Sequence, residues 1–155
     1  MSTNKFLILK TDDAKDLPLP SRATPGSSGL DLYAKVTQPV TIYPGQIEII
    51  YTGVKLIIPR FHEIQVRPRG GLAYNHGISI VNSPGTVDED YRGEICVILV
   101  NLNPNSPFVV NRGDRIAQMV LCPVSTQDPA ETSQDLFDAY TKTVRGEGRL
   151  GSTGI

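Results

Sequence analysis

The chain has 155 residues, of which 39% are hydrophobic, and its 15 basic and 16 acidic residues give a formal net charge of −1. This length fits one domain with a single core, and the lack of a basic run argues against a nucleic-acid or anionic-membrane surface. No apolar stretch approaches the length of a membrane span, and the apolar run 6–9 is too short for a signal peptide. We therefore expect a cytoplasmic protein that binds neither nucleic acid nor membrane.

Short strand signals recur along the chain with turn residues between them. The pattern predicts strands at 6–10, 30–34, 40–42, 47–51, 54–58, 64–67, 78–81, 95–102, 108–110 and 115–124. A polyproline-like connector at 17–20, a loop at 24–29 and turns at 43–46 and 59–62 separate the early strands. Only a helical turn at 71–74 and a marginal helix near 134–140 interrupt this series. With 14 glycines and 12 prolines, the chain is typical of an all-β sandwich or closed barrel.

The composition changes after residue 124, where polar and small residues dominate and the sequence ends in a glycine-rich stretch, 145–154. We predict a β-domain over 1–124 and a flexible C-terminal arm of the same domain over 125–155. The two cysteines, Cys96 and Cys122, lie in apolar, strand-like runs without a histidine nearby in sequence. They are predicted to be buried free thiols in a reducing compartment rather than metal ligands.

The segment 85–93, with the sequence GTVDEDYRG, is the most informative part of the chain. It follows a predicted hairpin at 77–85 and leads into the strand 95–102, so it should hold Asp88, Asp90 and Tyr91 at the mouth of a strand pair. Such a rigid position suits a general base aimed at a small ligand. Taken alone, the segment is equally well explained as an acidic turn.

Three further clusters have residue types that suit anion binding. Arg69 precedes Gly70 and Gly71, and glycines let backbone N–H groups approach an anion while a guanidinium forks onto phosphate oxygens. Gln118 alternates with apolar neighbours and is either a buried donor or an ordinary strand amide. The tail from Arg145 resembles a phosphate-binding loop in composition, but it lacks the lysine of a true one and equally fits a disordered linker.

Asp31 lies between two leucines, so its carboxylate should point away from their packing, and a lone strand acid is usually just solvated. Taken together and in this order, the segments 29–32, 68–73, 77–93, 113–118 and the tail from Arg145 resemble the trimeric dUTP pyrophosphatase (dUTPase) family. The resemblance covers 17–154. It implies a jelly-roll-like distorted β-barrel, a homotrimer around a threefold axis, and active sites that borrow segments from all three chains, with the arm reaching a neighbouring subunit.

The family reaction is hydrolysis of dUTP to dUMP and pyrophosphate with Mg²⁺, which limits uracil in DNA and supplies dUMP for thymidylate synthesis. By resemblance, Asp88 activates the attacking water and Tyr91 packs under the deoxyribose. The residues implied to surround uracil are Asn82, Gly85, Thr86, Val87 and Cys96. Those implied to bind the rest of the substrate are Arg69, Gly70, Gly71, Gln118, Arg145, Gly151 and Ser152, with Leu150 at the tail position that faces uracil and Asp31 holding Mg²⁺ through water.

Two positions depart from the family pattern. Gly70 stands where the family usually has a serine, and Arg149 and Leu150 stand where the tail usually has a glycine and an aromatic ring that stacks on uracil. A nucleotide-binding trimer with reduced or lost turnover is therefore an alternative. A dCTP deaminase of the same fold fits less well, because such enzymes have an arginine at the position of Tyr74 and a glutamate late in the long strand. Residues 95–100 contain no acid.

Overall fold

A computed structural model describes residues 6–140, 143–144 and 146–149. Its strands are β1 (Leu7–Lys10), β2 (Leu30–Tyr33), β3 (Val40–Ile42), β4 (Ile47–Tyr51), β5 (Val54–Ile57), β6 (His62–Arg67), β7 (Ile78–Ile80), β8 (Gly85–Val87), β9 (Cys96–Asn101), β10 (Phe108–Val110) and β11 (Arg115–Pro123). The helices are α1 (Gly70–His76), α2 (Gln134–Tyr140) and a short 3-10 helix, Asp12–Ala14.

The chain divides into two compact units, residues 1–125 and 126–155. The strands and α1 belong to the first unit, and α2 belongs to the second. Within the described part of the chain, no helix is both long enough and apolar enough to span a membrane. The predicted role of residues 125–155 as an arm that reaches a neighbouring subunit stays a prediction.

The described strands pair antiparallel in four sheets: β2-β11-β6-β8, β4-β9-β7, β1-β5 and β3-β10. The all-β prediction is confirmed, although these strands do not close into one barrel. Alternating burial explains the sheets, because successive side chains of a strand point to opposite faces. In β9, for example, Val97, Leu99 and Asn101 are buried and the residues between them are half-buried.

The core lies between the inner faces of these sheets. Its largest fully buried apolar side chains come from most of the strands and include Leu32, Ile42, Ile64, Ile78, Leu99, Val110 and Met119. Full burial of one such side chain contributes about 1.5–3 kcal/mol. The core therefore fixes the positions of β6, β7 and β9, the strands that bear the candidate site described below.

The predicted hairpin at 77–85 is wrong in its pairing. Strand β7 pairs with β9, whereas β8, which the sequence pattern missed, pairs with β6 in a different sheet. The four residues 81–84 thus cross from one sheet to the other. Turn residues look alike in a hairpin loop and in a crossing connection, so the sequence did not distinguish them.

Smaller differences concern boundaries and burial. Strand β6 begins at His62, inside the predicted turn, and α1 extends over seven residues rather than one turn. Cys96 and Cys122 are free thiols as predicted, but they are half-buried rather than buried. Each side chain belongs to the alternate positions of its strand that face away from the core. Alternation alone does not reveal which of the two sets of positions faces the core.

Candidate active site

A cavity of about 180 Å³ lies in the first unit, where the connection 81–84 crosses between the two larger sheets. Seven of the residues predicted for the site line it: Asn82, Gly85, Thr86, Val87, Asp88, Tyr91 and Cys96. Apolar side chains of Val66, Ile80 and Ile98 form part of its wall. The structure thus brings together the residues that were assigned to a base and a sugar.

Strand β8 fixes one wall of this cavity through its ladder with β6, in which Gly85 is opposite Val66. A Cβ atom added at Gly85 would lie 3.1 Å from Asn82 Nδ2 and 3.5 Å from Val66 Cβ, which is tighter than an ordinary contact at the amide. Glycine at this position therefore lets the Asn82 amide pack closely against the strand. An amide held in this way can donate and accept hydrogen bonds at the cavity.

The turn after β8 contains four carboxylates, and two of them hold it in place. Glu89 accepts a hydrogen bond from Phe61 N–H at 2.8 Å, and Glu94 accepts one from Gly53 N–H at 2.6 Å. Phe61 has a φ of 63°, in the left-handed region, so the Glu89 contact also supports an unusual turn between β5 and β6. Both anchors belong to segments distant in sequence.

The Asp88 carboxylate is free of such structural contacts. Its backbone carbonyl accepts the Tyr91 N–H at 3.1 Å, which closes the turn, but among the described residues its side chain makes no hydrogen bond or ion pair. The side chain is exposed and lines the cavity. A carboxylate in this position remains available to accept a proton from water.

Tyr91 is held by a hydroxyl contact and by a glycine. Its hydroxyl donates to the Glu94 carbonyl at 3.1 Å. A Cβ atom at Gly93 would overlap the Tyr91 ring and hydroxyl, so only glycine at 93 permits this ring position. The ring is half exposed and lines the cavity, where it offers a flat apolar surface.

The residues predicted to bind phosphates lie apart from this cavity. Gly70 and Gln118 line a second, open cavity of about 530 Å³, together with Ser83 and Pro84 of the crossing connection. Gly71 is an exposed residue of α1, and Arg69 lines neither of these two cavities. Among the described residues, those predicted for the site therefore fall into two groups, one that lines the small cavity and one that lies around the loop 68–71 and Gln118.

Asp31 joins two arginines near the second group. Its Oδ1 accepts Arg69 Nε at 3.1 Å and its Oδ2 accepts Arg115 Nη1 at 3.2 Å, while Arg69 Nη1 donates to the Arg115 carbonyl at 3.1 Å. The trio has an excess positive charge, which suits phosphate oxygens. Arg115 lies inside the segment 113–118, but the alternation of polar and apolar residues in that segment indicated Gln118 as the candidate instead.

Gln118 orients the backbone beside Arg69. Its Nε2 donates to the Pro68 carbonyl at 2.9 Å, so this donor is already used in the structure. A Cβ atom at Gly29 would overlap the Gln118 amide, so glycine at 29 makes room for it. Gln118 is thus half-buried and holds the loop that leads into α1.

The backbone does not require glycine at position 70. A Cβ atom added at Gly70 meets nothing within 4 Å, and its φ is outside the left-handed region. A serine would therefore fit sterically at this position.

In the part of the chain that the structure describes, no three His, Cys, Asp or Glu side chains cluster to hold a metal ion. Arg145, Leu150, Gly151 and Ser152 lie outside the described residues.

Comparison with known proteins identifies the family. The sequence profile described as dUTPase matches residues 15–154. The chain is 47% identical over 148 residues to the deoxyuridine 5'-triphosphate nucleotidohydrolase of Caldanaerobacter subterraneus subsp. tengcongensis, covering 96% of each chain. It is 49% identical over 156 residues to the protein of the same description from Maricaulis maris, covering 99% of each.

Solved structures give the same result for the fold. A mutant of the Staphylococcus bacteriophage 80alpha dUTPase with dUpNHpp superposes with a TM-score of 0.81 at 20% identity, covering 99% of this chain and 100% of that one. A mutant dUTPase from phage phi11 of S. aureus, which shows the coordination of a structural Mg(II) ion, has a TM-score of 0.74 at 19% identity, with coverage of 84% and 98%.

The chain belongs to the dUTPase family. The predicted jelly-roll-like β fold is confirmed by the solved relatives, with the qualification that the described strands form four sheets rather than a closed barrel.

The Asp31 contacts predict a measurable effect on stability. Asp31→Asn replaces one carboxylate oxygen with an amino group that faces a guanidinium, so we expect the free energy of unfolding to fall by about 1–3 kcal/mol. Urea unfolding followed by fluorescence or circular dichroism measures this change. The control is Asp12→Asn, which removes an exposed ion pair with Lys15 and should leave the unfolding midpoint nearly unchanged. Equal effects of the two substitutions would contradict a structural role for Asp31.

Proposed function

We propose that this chain hydrolyses dUTP to dUMP and pyrophosphate, with the Asp88 carboxylate as the general base that activates the attacking water. The observation that carries the proposal is the Asp88 carboxylate, which has no partner among the described residues and shares a cavity with Tyr91 and Asn82, in a chain of the dUTPase family. In-line attack on the α-phosphorus needs one carboxylate that can accept a proton from water. Glu89 and Glu94 are occupied by backbone N–H groups, so Asp88 is the better candidate.

The small cavity is proposed to take the base and the sugar. Its volume of about 180 Å³ is below the ~300–1,000 Å³ of pockets that enclose a drug-sized ligand, so the phosphates would lie outside it. Uracil offers an N3 donor beside an O4 acceptor, and cytosine offers the reverse. The Asn82 amide and the backbone of Gly85, Thr86 and Val87 supply fixed polar groups, which would be left unpaired against cytosine. Cys96 would contribute packing.

Tyr91 is proposed to exclude ribonucleotides. The deoxyribose would pack on the Tyr91 ring, and a 2′-hydroxyl would collide with that ring. The ring can act in this way because Gly93 and the Glu94 carbonyl fix its position. Selectivity against UTP would then come from shape rather than from a hydrogen bond.

The triphosphate is proposed to contact the second group of residues. Arg69 can fork onto phosphate oxygens, and the backbone at Gly70 and Gly71 is open to close approach. Gln118 would support this loop through its contact with Pro68. From the arm, the proposed phosphate contacts are those of Arg145, Gly151 and Ser152, and Leu150 would lie at the position that faces the base.

The donor set fits Mg²⁺ that arrives with the substrate. The described residues provide no direct ligand cluster, and Mg²⁺ retains several waters and is usually bound together with substrate phosphates. Asp31 would hold the ion only through water, because both of its oxygens already accept hydrogen bonds from arginines. When bound, the ion would neutralise charge on the phosphates.

A homotrimer with shared active sites is proposed as the working form. Ile47, Ile49 and Tyr51 of β4 are 54%, 54% and 50% exposed, respectively, and lie opposite Val100, Ile98 and Cys96 of β9. An exposed apolar face of this kind is typical of an interface with another chain. Ile98 and Cys96 also line the small cavity, so the face continues into the site. A neighbouring chain on this face would be close enough to supply the phosphate-binding residues.

Gly70 supports a second candidate, a nucleotide-binding protein with little turnover. The family's serine hydroxyl meets the oxygen that bridges the α- and β-phosphates, where charge develops during the reaction. Loss of one such donor can lower the rate about 10²–10³-fold. Because serine would fit sterically at this position, backbone geometry does not explain the glycine. Both cysteines are free thiols, which fits a reducing compartment such as the cytoplasm for either candidate.

The general-base proposal is tested by Asp88→Asn. The amide can still hydrogen-bond but cannot accept a proton from water, so pyrophosphate release from dUTP with Mg²⁺ should fall at least ~10²-fold while nucleotide binding is kept. The matched control is Asp90→Asn, in the same turn, which should retain most of the activity. The assay is continuous detection of pyrophosphate, with binding measured by calorimetry. Substantial activity in Asp88→Asn would assign the base elsewhere, and a parent that binds dUTP without turnover would favour the second candidate.

The shared site is tested by mixing two inactive variants. Sedimentation of the parent should give three times the 16.9 kDa chain mass. Asp88→Asn chains and Arg69→Gln chains should each be nearly inactive, and subunit exchange between them should restore activity, because some sites then combine an intact Asp88 with an intact Arg69 from another chain. Each variant exchanged with itself is the control. A fully active monomer, or no recovery after demonstrated exchange, would contradict the shared site.

A further inference from the structure

An ion pair with little solvent exposure lies next to the turn that carries Tyr91. Lys35 Nζ is 3.1 Å from the Glu94 carboxylate oxygens, and the two side chains are 14% and 18% exposed. Lys35 Nζ also donates to Asp13 at 2.8 Å. The pair joins the residue two positions after β2 to the residue two positions before β9, which are 59 positions apart in sequence.

Glu94 connects this pair to the Tyr91 ring. Its backbone carbonyl accepts the Tyr91 hydroxyl at 3.1 Å, and its side chain accepts Gly53 N–H at 2.6 Å. The next residue, Ile95, is tied to the start of β5, since its N–H donates to the Val54 carbonyl at 2.8 Å. Glu94 is therefore held at two points, by the contacts of its carboxylate and by the backbone bond of the next residue, and the Tyr91 hydroxyl bonds to the carbonyl that lies between these two points.

Glu94 also lines the small cavity, where an uncompensated negative charge would repel an anionic nucleotide. Lys35 neutralises it from the protein side. Burial disfavours the charged form of Lys35, but its hydrogen bonds to Asp13 and Glu94 outweigh burial and raise the pKa of Lys35 above its ordinary value. Lys35 is thus a cation throughout the neutral range.

We propose that Lys35 and Glu94 are positioning residues, which hold Tyr91 in place and thereby set the discrimination between deoxyribonucleotides and ribonucleotides. The inference rests on the proposed function only in its choice of nucleotides. The selectivity of the site would then depend on the ion pair between Lys35 and Glu94 as well as on the Tyr91 ring that meets the sugar. Without Lys35, the Glu94 carboxylate would keep only Gly53 N–H as a partner, and the residue whose carbonyl accepts the Tyr91 hydroxyl would be held less firmly.

The test compares Lys35→Met, which keeps the aliphatic stem but not the charge, with Lys35→Arg, which restores a cation. For each protein, calorimetry gives the affinity for the imido analogues of dUTP and UTP, and pyrophosphate release gives kcat/KM for the two nucleotides. In Lys35→Met, the preference for the deoxy compound should fall about 10- to 100-fold. Lys35→Arg should recover much of it. The control is Lys15→Met, which removes the exposed partner of Asp12 and should leave the preference unchanged.

Glu94→Gln is the second variant, because it keeps an acceptor for Gly53 N–H and loses only the charge that pairs with Lys35. It should also lower the preference, and it decides the question if Lys35→Met does not fold. An unchanged preference in a folded Lys35→Met or Glu94→Gln protein would overturn the inference, as would a parent that binds both analogues equally. A parent that prefers the dUTP analogue but releases no pyrophosphate would instead refute the proposed hydrolysis, and the binding preference would still test the pair.

Discussion

The Glu94 carboxylate connects three parts of the chain that are far apart in sequence. It accepts a hydrogen bond from the turn between β4 and β5, pairs with Lys35 beyond β2, and lies in the residue whose carbonyl holds Tyr91. The cost of placing a carboxylate where it has little contact with solvent is offset by the Lys35 cation and the Gly53 N–H group. These contacts fix the end of the turn that leads into β9, and the geometry of the small cavity depends on them.

Within the same turn, the acidic residues have different tasks. Glu89 and Glu94 give their oxygens to backbone N–H groups and hold the loop, whereas Asp88 makes no such contact among the described residues. Asp90, the fourth carboxylate of the turn, does not line the small cavity. The anchoring of Glu89 and Glu94 therefore holds the turn in place while the Asp88 carboxylate faces the cavity, which is the combination that general-base chemistry requires.

The sequence predicted most of the local structure and fewer of the contacts between residues that are far apart in the chain. Alternation located β4, β9 and β11, and it missed β8, whose three residues give no recognisable period. The hairpin at 77–85 was wrong because its two strands pair with β9 and β6, and the choice of sheet depends on the whole core. Asp88 and Tyr91 were predicted to lie together because they share one turn. The ion pair of Lys35 with Glu94 and the contact of Arg115 with Asp31 join residues far apart in sequence, which no local pattern specifies.

The comparison with relatives separates fold from site. Solved structures at about 20% identity keep the fold over nearly the whole chain, so the architecture tolerates extensive substitution. Gly70, by contrast, differs from the serine of the family pattern at the proposed contact with the bridging phosphate oxygen. The backbone at this position would also accept a serine. Discrimination among nucleotides is thus assigned to the small cavity, where the base and sugar would be recognised, rather than to the phosphate-binding group.

The most direct test of this account is the rate of pyrophosphate release by the purified parent protein with Mg²⁺ from dUTP, UTP, dCTP and dTTP at equal concentration. Fixed polar groups in the cavity and the Tyr91 ring predict hydrolysis of dUTP and rates at least ~10³-fold lower on dCTP and UTP. The small volume of the cavity should exclude the thymine methyl, so the rate on dTTP should be lower as well. Comparable rates on UTP would contradict the role of Tyr91, comparable rates on dCTP would contradict the role of the Asn82 wall, and no release from dUTP would contradict the proposed reaction.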